Sequence, residues 1–373
     1  MIINFDNAAT TYPKPESVKK AVLVAMDKYG GNAGRGGHAL AAATSEAVYS
    51  AREAAADFFG AESENVVFAM NCTHALNMAI QGVMSEGGHM IISSLEHNSV
   101  ARPAARLAAE GKITLSVAEV FPEDERTVES FRSLIREDTK AVVCTLAGNV
   151  TGQILPFRKL GRLCRERGIC FIADGAQACG IIDVKLSDGI NILCTAGHKG
   201  LYGITGTGLL ITDGKYPMKP IMQGGTGTDS LSLRQPALTP ESLESGTVGV
   251  IGIMSLKAGL DFVREKGIDR IFDHESRVCR RFINGLSGDS RITIYRHPSA
   301  KYTPTVAFNV EGKSSGDVAA YLAERGYCLR AGYHCSALAH AQLGTENGAV
   351  RFSPSVFSRE KDAAQLALLI KNM

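Results

Sequence analysis

Four side chains in this sequence could act together in covalent chemistry. Lys199 stands in GHKGLYGITGTG (197–208), directly after His198 and ahead of glycines at 200, 203, 206 and 208. A nucleotide phosphate loop puts its lysine after the last glycine and before a hydroxyl. Here the glycines follow the lysine, which leaves an ordinary surface turn or a lysine that reacts covalently. Asp174 ends the apolar run GICFIAD (168–174) and opens DGAQ, and His97 follows the run HMIISS (89–94). An aldehyde cofactor such as pyridoxal phosphate asks for this set. It needs a lysine to condense with its carbonyl and a carboxylate to keep its pyridine nitrogen protonated, so that the ring accepts electrons released at a substrate carbon. It also needs a flat face to stack on the ring, which His97 could supply. Its phosphate needs backbone donors, hydroxyls and the positive end of a helix. Thr73, opening a helical pattern after NVVFAM (65–70), is placed for that.

The fourth side chain is Cys335. The chain has nine cysteines, an odd number, with no C-x-x-C pair, so neither a disulfide framework nor a zinc ribbon is expected. Cys144, Cys170 and Cys194 lie inside apolar runs and read as small buried hydrophobes, as do Cys164, Cys179, Cys279 and Cys328. Cys335 differs, because RAGYHCSALAH around it is polar and has no apolar period. Positive charge from Arg330 or His334 would favour its thiolate.

Short apolar runs at 65–70, 89–94, 113–120, 140–146, 168–174, 190–196 and 207–213 read as buried strands. Helical patterns at 44–58, 73–83, 99–110, 127–136 and 157–167 lie between them. This alternation predicts an α/β fold with a mostly parallel sheet covered on both faces. Ligands of such sheets bind beyond the carboxyl ends of the strands, where His97, Asn149, Asp174 and Lys199 fall. After about residue 255 the texture changes. Long helical patterns at 255–285 precede the strands RITIY and TPTVAFNV, a helix at 314–325, strands near 327–331 and 349–353, and a last helix at 359–372. The expected division is a large domain of residues 15–254 and a smaller α+β domain made of 1–14 with 255–373. PALTPESLESGTVG (236–249) leads into the linking region.

The chain of 373 residues is 45% hydrophobic and 21% charged with net charge +2, which is ordinary globular chemistry. Nothing marks a nucleic-acid binder, and no apolar run reaches the length of a membrane span. The start MIINFDNAATTYPKPES lacks the apolar stretch of a signal peptide, and the cysteine pattern points to a reducing cytoplasm.

Taken together the motifs resemble the class V aminotransferase family of fold-type I pyridoxal-phosphate enzymes, and among them the NifS-like cysteine desulfurases. DNAATT (6–11), GRGGH (34–38), EHNS (96–99), GNVTGQILP (148–156), DGAQ (174–177), GHKGLYGITGTGLL (197–210), ESGT (244–247) and RAGYHCS (330–336) follow in family order. The resemblance implies roles residue by residue. Lys199 would carry the cofactor, Asp174 would pair with its ring nitrogen and Gln177 with its ring oxygen, and His97 would stack on the ring and move protons. Thr73 and His198 would hold the phosphate, joined by Thr247 from the second subunit of a homodimer. Asn149 would lie beside cofactor and substrate carboxylate, and Arg351 would clamp that carboxylate as a bidentate fork. Cys335 would take sulfur from L-cysteine as a persulfide, releasing alanine and passing the sulfur to an acceptor, for uses that include iron–sulfur clusters. Selenocysteine lyases and other reactions share the scaffold. Four positions depart from the family's usual pattern: Cys72 for Thr, Ala196 for Ser, Tyr333 for His and Ser336 for Ala. The short stretch from Cys335 to Arg351 resembles the group with a compact cysteine loop, which hands its sulfur to a dedicated partner.

Overall fold

The structure is a computed structural model and describes residues 2–34 and 36–373. Arg35, within GRGGH, lies outside the described residues. Seven strands form the large sheet, in the order Val66–Ala69, Gly208–Thr212, Ile192–Ala196, Cys170–Asp174, Thr139–Thr145, His89–Ser93 and Thr114–Ala118. All run parallel except Gly208–Thr212, which is antiparallel to both neighbours. Every residue of the central strands is buried, because helices cover both faces of a parallel sheet. Alternate side chains divide between two cores. Val142, Phe171, Leu193 and Leu209 point to one, and Val143, Ile172, Cys194 and Leu210 to the other.

The helices follow the apolar period. In Phe157–Arg167 the buried residues Phe157, Leu160, Gly161, Leu163 and Cys164 make one stripe, and Gly168 ends the helix in the left-handed region. The helical patterns read at 255–285 are the helices Val250–Lys266 and Ile268–Leu286, which meet at Gly267, whose φ is +82°. Residue 255 falls inside the first of these, which packs against Glu16–Lys28 and Ala39–Phe59. The helices Glu16–Lys28 and Ala337–Leu343 and the two-residue strand Ile3–Asn4 are additions to the sequence reading.

A second sheet of four antiparallel strands runs Arg330–Gly332, Ala349–Phe352, Val306–Val310, Ile292–Ile294. Phe5 packs into its core against Phe352, with ring centroids 4.5 Å apart. That ties the first residues of the chain to the last third. Between Gly208–Thr212 and Val250–Lys266 the chain makes no helix or strand among the described residues. It leaves Leu231, Leu233 and Leu238 exposed.

Candidate active site

The carboxyl ends of three neighbouring strands deliver the first groups. Asp174 is the last residue of Cys170–Asp174, and Lys199 follows Ile192–Ala196 by three residues. Asn149 lies in the loop after Thr139–Thr145. Two helix starts supply more. Asn71 caps Cys72–Val83 by accepting the His74 N–H, and this leaves the first amides and Thr73 facing the same space. His97 caps Asn98–Ala109, its Nδ1 accepting the Ser99 N–H at 3.1 Å. A cavity of 190 Å³ is lined by Thr73, His97, Asn149, Asp174, Gln177, His198 and Lys199 together. Seven of the ten residues singled out from sequence therefore share one space.

Burial sets the protonation of this cluster. It lowers the Lys199 amine from its ordinary range, partly opposed by Asp174, so a neutral amine is more accessible than on a surface lysine. Burial also lowers His97, and because its Nδ1 accepts a backbone N–H, the neutral ring carries its proton on Nε2. His198 is lowered to about 4 by burial and by the neighbouring Lys199 and Lys14, and its Nδ1 is buried without a partner. The Lys199 loop is fixed from behind, with Thr11 N–H and Lys14 Nζ donating to the His198 carbonyl at 3.1 and 3.0 Å. Asp174 accepts the Ala176 N–H at 2.9 Å and the Cys72 thiol at 3.5 Å. Cys72 is thus a buried donor to the acid, its thiol pushed well up by burial and then by Asp174.

Gln177 donates to the Ala8 carbonyl at 2.9 Å and to Asn149 Oδ1, which also accepts from Arg351 Nη1 at 2.9 Å. Arg351 is fully buried and does not line the cavity directly. Its other nitrogen, Nη2, is paired with Asp6 Oδ1 at 2.9 Å. Sequence reasoning gave no role to Asp6. It also passed over Ser99, whose hydroxyl bridges His97 Nδ1 at 2.8 Å and Thr73 Oγ1 at 2.6 Å. The signal for Ser99 was its place inside EHNS, two residues after His97 and second in the helix Asn98–Ala109.

Cys335 borders the open groove of 480 Å³ that adjoins this cavity, together with His97 and Thr73. It is the one exposed cysteine of the nine, all of which are free thiols. His334 and Cys335 both sit in the left-handed region, at φ +48° and +55°. Two successive non-glycine residues there are strained and need external anchors. Asn149 Nδ2 holds the His334 carbonyl at 2.6 Å, and the Asn98 N–H holds that of Cys335 at 2.7 Å. Of the two cations expected near the thiol, Arg330 is present, its Nη2 at 3.7 Å from Sγ. His334 is not a cation. Burial and the adjacent Arg351 push it down to about 3.

Thr247 is not part of the cluster in its own chain. It is exposed, its hydroxyl accepting from Asn32 Nδ2 at 3.3 Å. The segment leading to it is pinned to the sheet edge, where Arg52 grips Glu244 at 2.7 and 2.8 Å and Glu244 accepts the Phe68 N–H at 2.6 Å.

Two of the glycines that follow Lys199 meet the chain's own backbone. A Cβ at Gly200 would lie 2.4 Å from the Cys179 carbonyl oxygen, and one at Gly208 would lie 2.6 Å from the backbone of Asn71. The crowding is with the chain's own loops.

With this geometry in place, the match to known proteins is informative. Residues 3–366 match the aminotransferase class-V family. The chain belongs to that family. Its members are pyridoxal-phosphate enzymes. A probable cysteine desulfurase of Methanothermobacter thermautotrophicus is 29% identical over 367 residues, 95% of this chain and 91% of that one. A cysteine desulfurase of Salmonella choleraesuis is 31% identical over 314 residues, covering 81% and 76% of the two chains. Among solved structures, the apo cysteine desulfurase of Thermococcus onnurineus superimposes with a TM-score of 0.92 at 29% identity, over 100% of this chain and 95% of that one. No helix among the described residues is long and apolar enough to cross a membrane.

Proposed function

We propose that this chain is a cysteine desulfurase that uses pyridoxal phosphate to move sulfur from L-cysteine to Cys335. One observation carries the reading: Lys199, Asp174 and His97 line one cavity, and the exposed Cys335 stands in the groove beside it. The residues fit the cofactor. The unpartnered Nδ1 of His198, the Thr73 hydroxyl and the uncapped amides of Cys72–Val83 suit a phosphate. Asp174 suits a protonated ring nitrogen, and Gln177 lies within the same walls. Pyridoxal phosphate, when bound, supplies a sink for electrons released at the substrate Cα.

The chain's own residues do the rest. Lys199, lowered by burial, takes the Cα proton as its neutral amine. His97, with its proton on Nε2, lines the same cavity as Lys199. Arg351 and Asn149 orient the substrate carboxylate. Cys335 attacks the substrate sulfur; the new S–S bond replaces the C–S bond, the carbon takes a proton, and alanine leaves with a persulfide on Cys335. Arg330 Nη2 lies 3.7 Å from Sγ, beside the sulfur that attacks. The persulfide then passes to an acceptor thiol or protein.

A homodimer is part of the proposal. The exposed leucines at 231, 233 and 238 and the outward Thr247 support a second copy covering this face and lending Thr247 to the opposite phosphate site. The division into 15–254 and 1–14 with 255–373 is likewise proposed, supported by Phe5 packing with the second sheet. Nine free thiols support a reducing compartment, the cytoplasm.

The test is direct. Protein supplied with pyridoxal phosphate should absorb near the visible edge, borohydride should fix the label on Lys199, and L-cysteine should yield alanine, with sulfide released when a reducing dithiol such as dithiothreitol cleaves the persulfide. Cys335→Ala should keep the absorbance and the label and lose sulfide release by at least about a hundredfold. Label on another side chain, or a Cys335→Ala protein with full activity, would overturn the reading.

A further inference from the structure

Arg351 is already engaged. Its Nη1 donates to the Asn149 carbonyl at 3.0 Å and to Asn149 Oδ1 at 2.9 Å, while Nη2 donates to Asp6 Oδ1 at 2.9 Å. Nε is buried with no partner. The guanidinium is fully buried, whereas the Asp6 side chain keeps 26% of its surface exposed. A buried cation needs a counter-ion, and Asp6 is the acid that the structure places on it.

The placement of Asp6 is built into the backbone. Its residue bridges Ser353, two positions beyond Arg351. The flanking bonds are Ser353 N–H to the Phe5 carbonyl at 2.7 Å, Asn7 N–H to the Ser353 carbonyl at 3.2 Å and Ala8 N–H to Ser353 Oγ at 2.9 Å. The first strand of the chain is therefore held in register with the strand that carries Arg351. The acid cannot drift away from the fork, and its side chain is partly open to solvent.

We propose that Asp6 is a resident counter-ion that occupies the Arg351 fork and yields it to the carboxylate of the amino-acid substrate, so that Asp6 sets how tightly that carboxylate is bound. This rests on the reading of Arg351 as the carboxylate clamp. Asp6 is a positioning residue. It holds the guanidinium charged and oriented in the dry interior while the site is open, and it competes with the incoming anion. The competition tunes affinity downward for any ligand whose binding depends on a carboxylate. Ligands that lack one do not feel it.

The experiment measures binding of L-alanine, the product amino acid, and of ethylamine, its analogue without the carboxylate. Each is read by calorimetry and by the ligand-induced rise of the thermal midpoint, on holoenzyme of wild type, Asp6→Asn and Arg351→Lys. Asp6→Asn should bind L-alanine about tenfold more tightly, which is about 1.4 kcal/mol, with ethylamine binding unchanged. Its midpoint without ligand should fall, and L-alanine should raise it by more than in wild type. Asp6→Ser carries the same expectation should the amide variant not accumulate as folded protein. If Arg351→Lys weakens L-alanine binding while both Asp6 variants bind it no better than wild type, Asp6 is only a strut and the proposal fails. If Arg351→Lys binds L-alanine as wild type does, the clamp reading itself fails and the role of Asp6 goes with it.

Discussion

Among nine thiols, exposure singles out Cys335. Burial pushes Cys164, Cys179 and Cys279 up to about 12 and drives Cys144, Cys170 and Cys194 well above the usual thiol range. A brief treatment of the folded protein with a limiting amount of iodoacetamide should therefore modify Cys335 ahead of the rest, as peptide mapping would establish; first labelling of a strand cysteine would contradict this. The family resemblance, with a loop that has no apolar period, singled out Cys335 from sequence. It could not give the αL conformations of His334 and Cys335, which depend on Asn149 and Asn98 from remote segments. Glu275 is another residue whose state only burial reveals. It is buried against the Tyr202 hydroxyl at 3.4 Å, and burial raises it to about 8. A raised carboxyl binds its proton more tightly in the folded chain than in the unfolded one. Stability from this group is whole below the ordinary carboxylate range and declines as pH rises toward about 8. Glu275→Gln should flatten the fall of the thermal midpoint between those limits, and an unchanged slope would refute this account.

At the scale of elements, the Lys199 loop is positioned by the helix Val250–Lys266 passing over it. A Cβ on Gly259 would lie 2.0 Å from the Leu201 carbonyl oxygen, and one on Gly203 would lie 3.2 Å from Leu256 Cα. Gly259→Ala should force the helix off the loop, costing about 1–3 kcal/mol of stability in denaturant titration and weakening cofactor retention. A variant as stable as wild type, with normal absorbance, would show that the contact yields easily. Strand and helix positions in the large sheet were legible because a parallel sheet writes uniform apolar runs between helical periods. Gly208–Thr212 carries the same apolar signature as its parallel neighbours, so its reversed direction was not. The position of the break at Gly267 was not read, because two amphipathic helices in succession leave the turn between them unmarked until the structure shows it.

At the scale of the whole molecule, Thr247 is the decisive residue. It lies outside its own chain's cavity, on a segment anchored by the Arg52–Glu244 pair. If it serves the opposite site, Lys199→Ala and Thr247→Ala proteins should each be weak alone, the second through poor cofactor retention. Mixing and reassembling them should restore activity, because a mixed dimer holds one site with both native residues. No recovery on mixing, with dimers verified by sedimentation, would place Thr247 in some other role. Replacing Leu231 and Leu233 with Ser should shift the same sedimentation profile toward monomer.

Residue types and their order determined much of this by themselves. A lysine, an acid and a histidine at strand ends, and a cysteine in a polar loop, carry their chemistry wherever the backbone puts them, and apolar periodicity fixes which backbone that is. What the tertiary structure alone decided was who faces whom: Ser99 between His97 and Thr73, Cys72 on Asp174, and Asp6 on Arg351 across nearly the full length of the chain. Such pairings depend on register between segments far apart in sequence, and burial then decides the charge each partner can keep. Neither quantity is local, so no window of residues contains it.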